Sequence, residues 1–203
     1  MHRYIFIAFV TLFSSGCAVG VKHQYDTVKP EFNLATQAKL AVGVQDLRPY
    51  VVTGKKPETF VGLSRGGFGN PFDVNTKSGV PLAKDMQTVI AASLKRGGAT
   101  VIEVELKPGI GAANARKAML DAGADKAVLI TLREWNSDTL FRTALHYDVQ
   151  LIVLASNGNV LATKDLQGTD NLGSGFERDL VREAFRRKLE ELFSDPAVAQ
   201  ALR

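Results

Sequence analysis

The sequence has little of the chemistry from which disulfides and metal centres are built. Its 203 residues include one cysteine and three histidines. A disulfide needs a second cysteine, and a cysteine-held zinc or iron–sulfur site needs several thiolates from the same chain. The sequence therefore excludes an internal disulfide and a cysteine-based metal centre within one chain.

The sequence also lacks a large excess of basic over acidic residues. The chain carries 25 basic and 21 acidic residues, for a formal net charge of +4. Its most basic run, residues 186–188, is interleaved at helical spacing with Glu183, Glu190 and Glu191. No aromatic platform for base stacking accompanies this run. We therefore expect no nucleic-acid partner.

Long apolar runs are also scarce, and the one at the N-terminus is too short for a mature transmembrane helix. Residues 4–13 are ten uncharged, mostly large apolar residues that follow Arg3. Ten residues of helix rise only about 15 Å, half of the roughly 30 Å hydrocarbon core. Residues 14–16 then place small side chains directly before Cys17. This layout is typical of a secretory signal peptide, which we predict over residues 1–16.

The segment resembles the signal of bacterial lipoproteins, whose lipobox ends in a small residue and then a cysteine. Gly16 and Cys17 match that pattern. The resemblance implies that Cys17 is diacylated on sulfur, becomes the first mature residue and is then N-acylated, and two or three acyl chains give a stable anchor. Ala18 rather than Asp follows, which in the sorting rule of these proteins implies the periplasmic face of the outer membrane. The alternatives are the inner membrane and a buried structural cysteine.

Behind the cysteine, the chain divides into a tether and one domain. Residues 18–38 are polar, lack a clear period and contain Pro30. We interpret residues 17–38 as the lipidated cysteine and a tether, which if extended reaches about 60–70 Å. Residues 39–203 then form a single periplasmic domain of ordinary size, with a β-rich and Gly-rich insertion at 48–80.

Apolar periodicity indicates the elements of this domain. It predicts strands at 40–44, 100–106, 126–135, 140–154 and 160–167, and helices at 82–96, 112–122 and 175–193. Within the insertion we expect a hairpin over 50–64 and a loop over 65–80.

The order of these elements predicts the fold class. Strand–helix–strand repeats in the first half imply right-handed crossovers and parallel pairing. Asn157-Gly158 between two alternating runs predicts a tight antiparallel hairpin. We expect an α/β (α+β) fold with a mixed twisted sheet, amphipathic helices mainly on one face, an antiparallel C-terminal meander and a long final helix.

Candidate binding residues lie at the end of the first strand. Asp46 and Arg48 flank that end, and strand ends in sheets with crossover helices are where ligands bind. The alternative is that the pair merely fixes the turn, and this is the interpretation we favour. Phe68, in the Gly-rich loop, is a further candidate contact with a ligand or partner.

Other candidates for chemistry have simpler explanations. Glu103 and Glu105 share a strand face, where we expect a solvated or lysine-paired edge. His146 lies on the polar side of a strand. The glycines at 109 and 111 precede a helix, but Asn114 occupies the last glycine position of the dinucleotide fingerprint. We therefore expect no catalytic residues, no metal and no cofactor.

Several short motifs accompany this order of elements. They are Gly123-Ala124-Asp125 before a strand, Arg96-Gly97 before another, the Asn157-Gly158 hairpin, Cys17, and an ending with Phe176, a long helix and residues 194–198 (SDPAV). With them the chain resembles the periplasmic α/β domains of curli-secretion lipoproteins and the TolB N-terminal domain. It is also similar to the small uncharacterised outer-membrane lipoproteins typified by YajG.

Two classes of function follow from these residues. Because no catalytic set emerges, we expect a non-enzymatic lipoprotein that assists an envelope protein through residues 50–80 or an exposed sheet edge. The alternatives are an envelope enzyme or small-ligand binder with its site near Asp46 and Arg48, and an oligomeric secretion component. The last needs membrane-spanning hairpins of about ten residues per strand, and the 50–64 segment is short and carries Lys55 and Lys56.

Overall fold

The computed structural model describes residues 20–174 and 179–203, so the predicted signal peptide, Cys17 and Phe176 lie outside the described residues. The strands are β1 Lys22–His23, β2 Lys39–Asp46, β3 Phe60–Arg65, β4 Pro71–Thr76, β5 Thr100–Glu103, β6 Lys126–Thr139, β7 Arg142–Ala155 and β8 Val160–Ser174. The helices are α1 Pro49–Val52, α2 Leu82–Arg96, α3 Ala112–Asp121, α4 Leu180–Phe193 and α5 Pro196–Leu202.

These strands form one mixed sheet that forks along β6. On one side of β6, β7 pairs antiparallel along its whole length, and β8 follows β7. On the other side, β2 pairs parallel with the first half of β6, up to Leu132, and β3 pairs parallel with its end, over Ser137–Thr139. A register irregularity between Leu132 and Glu134 separates the two halves. The fork therefore has a β2–β5 branch and a β3–β4–β1 branch.

The predicted fold class is confirmed. The sheet is mixed, β6, β7 and β8 form the antiparallel C-terminal meander, and α4 is a 14-residue helix near the end of the chain. Helices α2, α4 and α5 pack into the larger apolar core on one face, whereas α3 covers a smaller core on the other. The apolar stripe predicted for α2 is buried throughout, from Leu82 to Leu94.

The insertion differs from its prediction. Residues 49–52 form the short helix α1, with Pro49 in the first turn where its missing N–H costs nothing, so the hairpin predicted over 50–64 is wrong. The hairpin is instead made by β3 and β4. This peripheral strand buries only Val74 and Thr76, so its apolar pattern in the sequence is weak. The sequence therefore predicts a loop here instead of a strand.

The segment predicted as a tether is packed on the domain over residues 20–38. Tyr25 is fully buried, and Phe32 and Leu34 are each 7% exposed. The Tyr25 ring lies 4.8 Å from that of Phe185, and Phe32 stacks on Phe193 at 4.0 Å. The tether interpretation is wrong for these residues because their few large side chains, though not periodic, occupy the helical layer.

Hydrogen bonds hold the backbone of this segment in place. The carbonyl of Pro30 accepts from Ser93 Oγ at 2.9 Å and from Arg96 Nη2 at 2.9 Å, both on α2. The Thr36 N–H donates to Gly97 O at 3.0 Å. A Cβ on Gly97 would meet the Leu34 carbonyl oxygen at 2.2 Å, so glycine is required there for this close approach. Residues 20–38 are thus an integral part of the folded domain.

The burial of Tyr25 leads to a stability prediction. Trp135 Nε1 donates to Tyr25 Oη at 3.1 Å. Tyr25→Ala should lower the free energy of unfolding by about 3–5 kcal/mol through the lost packing. Tyr25→Phe should cost about 1–3 kcal/mol because the indole N–H loses its acceptor. Urea unfolding followed by the fluorescence of Trp135, the single tryptophan, measures both.

Val21→Ala, at a half-exposed position of the same segment, is the matched control and should change stability by less than about 0.5 kcal/mol. Equal stability of the Tyr25→Ala and Val21→Ala variants would contradict the packed segment.

Candidate functional site

The sequence-predicted pair of Asp46 and Arg48 is brought together, but inside the protein. Arg48 is 0% and Asp46 1% exposed. Arg48 Nε lies 3.0 Å from Asp46 Oδ1, and Nη2 lies 2.7 Å from Oδ2, the bidentate geometry of a strong ion pair. The rest of the guanidinium donates to the carbonyls of Phe60, at 2.5 Å, and Glu58, at 3.0 Å.

This ion pair is a structural link between two strands. Asp46 ends β2 and Phe60 begins β3, so Arg48 joins the two branches of the sheet at the fork. Burial by itself lowers the pKa of Arg48, but the hydrogen bond and charge of Asp46 outweigh it and hold the pKa above its ordinary value. In this conformation neither side chain is available to a ligand or partner, and the pair fixes the chain at the end of β2, which is the interpretation favoured from the sequence.

Phe68 lies elsewhere, at the tip of the β3–β4 hairpin, and is 100% exposed. The β3 strand runs parallel to β6, with Ser64 opposite Thr139. The β3–β4 turn therefore lies at the same end of the sheet as the β6–β7 turn, which contains Leu140 and Phe141. We call residues 65–72 and 139–142 together the hairpin end.

The hairpin end presents large apolar side chains to solvent. Phe141 is 70%, Phe72 46% and Leu140 40% exposed. Sequence reasoning missed these three because it assigned Leu140 and Phe141 to a strand and Phe72 to a loop. The signal for the first two was present: two consecutive large apolar residues break the alternation of a half-buried strand.

The two hairpins are bridged by an ion pair. Arg65 Nε donates to Asp138 Oδ1 at 2.7 Å, and Nη2 lies 2.5 Å from Oδ2. The hydrogen bond from Arg65 holds the pKa of Asp138 below its usual range. Within the β3–β4 turn, the N–H of Gly66 donates to Asn70 O at 3.0 Å, and Gly69 has a φ of +81°, which glycine adopts readily. The two tips are therefore held as one surface.

A cleft of about 310 Å³ opens beside the hairpin end. It is bounded by β1, by Ser64 and Val74 of the β3–β4 hairpin, by Thr139 and Thr143, and by the start of α4. His23 reaches into this region and forms a 3.0 Å hydrogen bond with Ser137 Oγ. Burial lowers the pKa of His23 to about 4, so the imidazole is neutral at pH 7.

The remaining candidates have structural roles. Glu103 pairs with Lys84 at 3.1 Å and Lys95 at 3.6 Å, the lysine pairing expected from the sequence. His146 shares a 2.8 Å hydrogen bond with Thr169 on the neighbouring strand. Within residues 20–174 and 179–203, no group of three or more His, Cys, Asp or Glu side chains is arranged to hold a metal ion.

Among the described parts of the chain, no helix combines the length and the hydropathy needed to cross a membrane.

Comparison with known proteins finds matches among solved structures alone. No protein-family model matches the sequence, and no curated protein matches it significantly. Protein XCC0632 from Xanthomonas campestris, of family DUF330, aligns over 89% of this chain and 91% of its own at 13% identity, with a TM-score of 0.49. The PelC dodecamer from Paraburkholderia phytofirmans aligns over 87% and 95% at 14% identity, with a TM-score of 0.46.

Lipoprotein GNA1162 from Neisseria meningitidis aligns over 75% of this chain and 94% of its own at 14% identity, with a TM-score of 0.31. The structural neighbours thus include a DUF330 protein and a bacterial lipoprotein. At TM-scores below 0.5 these likenesses carry no argument about function. The finer resemblance to the YajG type stays a prediction.

The buried ion pair leads to a second stability prediction. Arg48→Met should lower the free energy of unfolding by about 3–5 kcal/mol, because it leaves the Asp46 carboxylate buried without its counter-ion. The double variant Asp46→Leu/Arg48→Met should recover part of that loss, since it removes both charges. Urea unfolding of the three chains measures the coupling between the two residues.

Lys117→Met is the matched control, because Lys117 forms an exposed pair with Asp121 at 2.6 Å. It should cost less than about 1 kcal/mol. If Arg48→Met cost no more than Lys117→Met, the ion pair would not be the link that joins the two branches.

Proposed function

We propose that this protein is a lipid-anchored lipoprotein of the bacterial envelope that acts, without catalysis, as an interaction or assembly accessory at the periplasmic face of the outer membrane. The observation that carries the proposal is the junction between the lipobox and the domain. Val21 lies four positions after the predicted acylation site and lines a cleft of the domain, and Tyr25 is fully buried. An anchor on Cys17 would therefore hold the folded domain close to the membrane surface.

The non-enzymatic part of the proposal is supported by the burial of the pair near which a ligand or enzyme site was the alternative. Asp46 and Arg48 are sealed against each other and against backbone carbonyls. Their polar atoms stabilise the fork of the sheet, so the ligand or enzyme site expected at the end of the first strand has no accessible charged group from this pair.

The anchor is tested by replacing the cysteine. Cys17→Ser should abolish acylation and processing, so the chain should accumulate as an uncleaved precursor or leave the outer-membrane fraction. Membrane fractionation with mass spectrometry of the mature N-terminus measures this. Ser15→Ala is the control and should leave the anchored chain unchanged. Membrane fractionation of Cys17→Ser identical to that of the unsubstituted chain would refute the anchor.

A surface for an envelope protein partner is offered by β8. This strand has 15 residues and, within the described parts of the chain, pairs with β7 on one side only. The backbone groups of an unpaired strand edge can accept an extended segment of another protein. Val160 and Leu161 at its start are 48% and 46% exposed. We assign the partner to this edge.

The partner surface is tested by photo-crosslinking in living cells. A photoreactive amino acid at Leu161 or Thr163 should give a discrete covalent adduct with one envelope protein, and the same amino acid at the exposed Lys117 on α3 should not. The adduct should disappear when Cys17→Ser removes the chain from the membrane. Failure at both β8 positions would remove this edge as the contact surface.

A further inference from the structure

The direction of β1 fixes where the chain leaves the domain toward Cys17. This strand is parallel to β4, with Lys22 opposite Asn75 and His23 opposite Thr76. Since β4 begins at Pro71, beside the β3–β4 turn, following the chain backwards from Lys22 leads toward the hairpin end. Gly20 conforms to this register, because a Cβ placed on it would lie 3.8 Å from the carbonyl oxygen of Asp73.

The covalent chain leaves little room between this point and the cysteine. Gly20 is the third residue after Cys17, and an extended chain spans at most about 3.6 Å per residue, so the two Cα atoms lie within about 11 Å of each other. Asp73 is itself only two residues, or about 7 Å, from the start of β4. Acyl chains on Cys17 would therefore enter a membrane close to the hairpin end.

The apolar side chains at this end are unusual for the molecule. Among the described residues, the two most exposed large apolar side chains are Phe68, at 100%, and Phe141, at 70%, and they lie on its two neighbouring tips. Phe72 and Leu140 flank them, both at least 40% exposed. Clustered exposed apolar groups of this kind mark interaction surfaces, and aromatic groups are favoured where a membrane meets water.

The charges around the tips suit a phosphate-bearing surface. The carboxylates of Asp138 and Asp73 are each paired with a cation, Arg65 at 2.5 Å and Lys56 at 2.5 Å. Arg142, directly after Phe141, is exposed and is hydrogen-bonded at 3.2 Å to the neutral side chain of Asn171. Among the described residues no carboxylate pairs with Arg142, so its positive charge can face lipid phosphates at the depth where Phe141 would enter.

We propose that the hairpin end is a membrane-contacting surface: Phe68, Phe72, Leu140 and Phe141 enter the interfacial layer of the leaflet that holds the acyl chains of Cys17. This inference rests on the lipid anchor of the proposed function and adds an orientation to it. The domain stands upright on the membrane with the β7–β8 turn pointing away. Acyl chains and aromatic tips act at the same end, so the domain has two attachments to one surface.

The test places a nitroxide spin label on the full lipidated chain, reconstituted in vesicles of phosphatidylethanolamine and phosphatidylglycerol. Phe68→Cys and Phe141→Cys, each made singly, carry the label at the tips. Leu161→Cys is the matched control, an exposed apolar position at the start of β8, beside the far end of β7 and about 40 Å from the tips along that strand. Power saturation compares collisions with oxygen, which concentrates in lipid, and with a water-soluble nickel chelate.

We expect the labels at 68 and 141 to collide preferentially with oxygen, at a depth of about 5–10 Å below the headgroups, and the label at 161 to collide preferentially with nickel. The proposal would be overturned if the labels at 68 and 141 collided with the nickel chelate as often as the label at 161 does. Labels at 68 and 141 that are immobilised and shielded from both reagents would also overturn it, because a protein, such as a second copy of this chain, would then cover the tips.

The same samples separate this proposal from the anchor on which it rests. An acylated Cys17 is a thioether and cannot take the label, so the unsubstituted chain should remain unlabelled. Labelling of the unsubstituted chain would show a free Cys17 and overturn the anchor itself. An unlabelled, vesicle-bound chain whose tips remain in water would overturn only the orientation.

Discussion

The buried contact between Arg48 and Asp46 is the constraint on which the rest of the structure depends. A guanidinium with no exposure is costly to bury, and it is tolerated here because a carboxylate and two carbonyl oxygens surround it. These partners come from the end of β2 and the start of β3. The contact therefore fixes the start of β3 next to the end of β2. Because β2 pairs with the first half of β6, β3 pairs with the end of β6, and this sets the position of the β3–β4 hairpin.

The same fork explains why the N-terminal segment can reach the end of the sheet. In the β3–β4–β1 branch, β4 is the strand with which β1 pairs. From β1 the chain turns into the helical layer, where the buried hydroxyl of Tyr25 accepts the indole N–H of Trp135. A lipid anchor on Cys17 would thus be coupled to the domain by a packed segment rather than by a flexible spacer.

Considered together, these features separate two surfaces along the length of β7. The hairpin end combines the proposed attachment of the chain with its most exposed phenyl rings. The outer edge of β8 begins at the opposite end, near the β7–β8 turn, and over residues 160–170 no other described strand pairs with it. A domain in the proposed orientation would keep its strand edge in the periplasm and its apolar tips in lipid, and one small chain would then join a membrane to an envelope protein.

The sequence by itself determined the elements whose burial is periodic. The apolar stripe of α2 and the alternation of β7 arise because each element packs one face against a core. Apolar residues therefore recur every few positions in the sequence. The Asn157-Gly158 turn was equally local, because its backbone conformation restricts the residue types. Cys17 was singled out by its neighbours in the chain alone. The Asp46–Arg48 pair was identified too, although only as two alternatives.

Tertiary structure decided the features that depend on contacts between distant residues. Residues 20–38 carry three aromatic or aliphatic anchors without a period, and only their contacts with α2 and α4 make them part of the core. β4 pairs at the periphery and leaves half its side chains in water, so its pattern is close to that of a loop. The hairpin end exists because β3 lies parallel to β6, a register set by the fork rather than by any local run of residues.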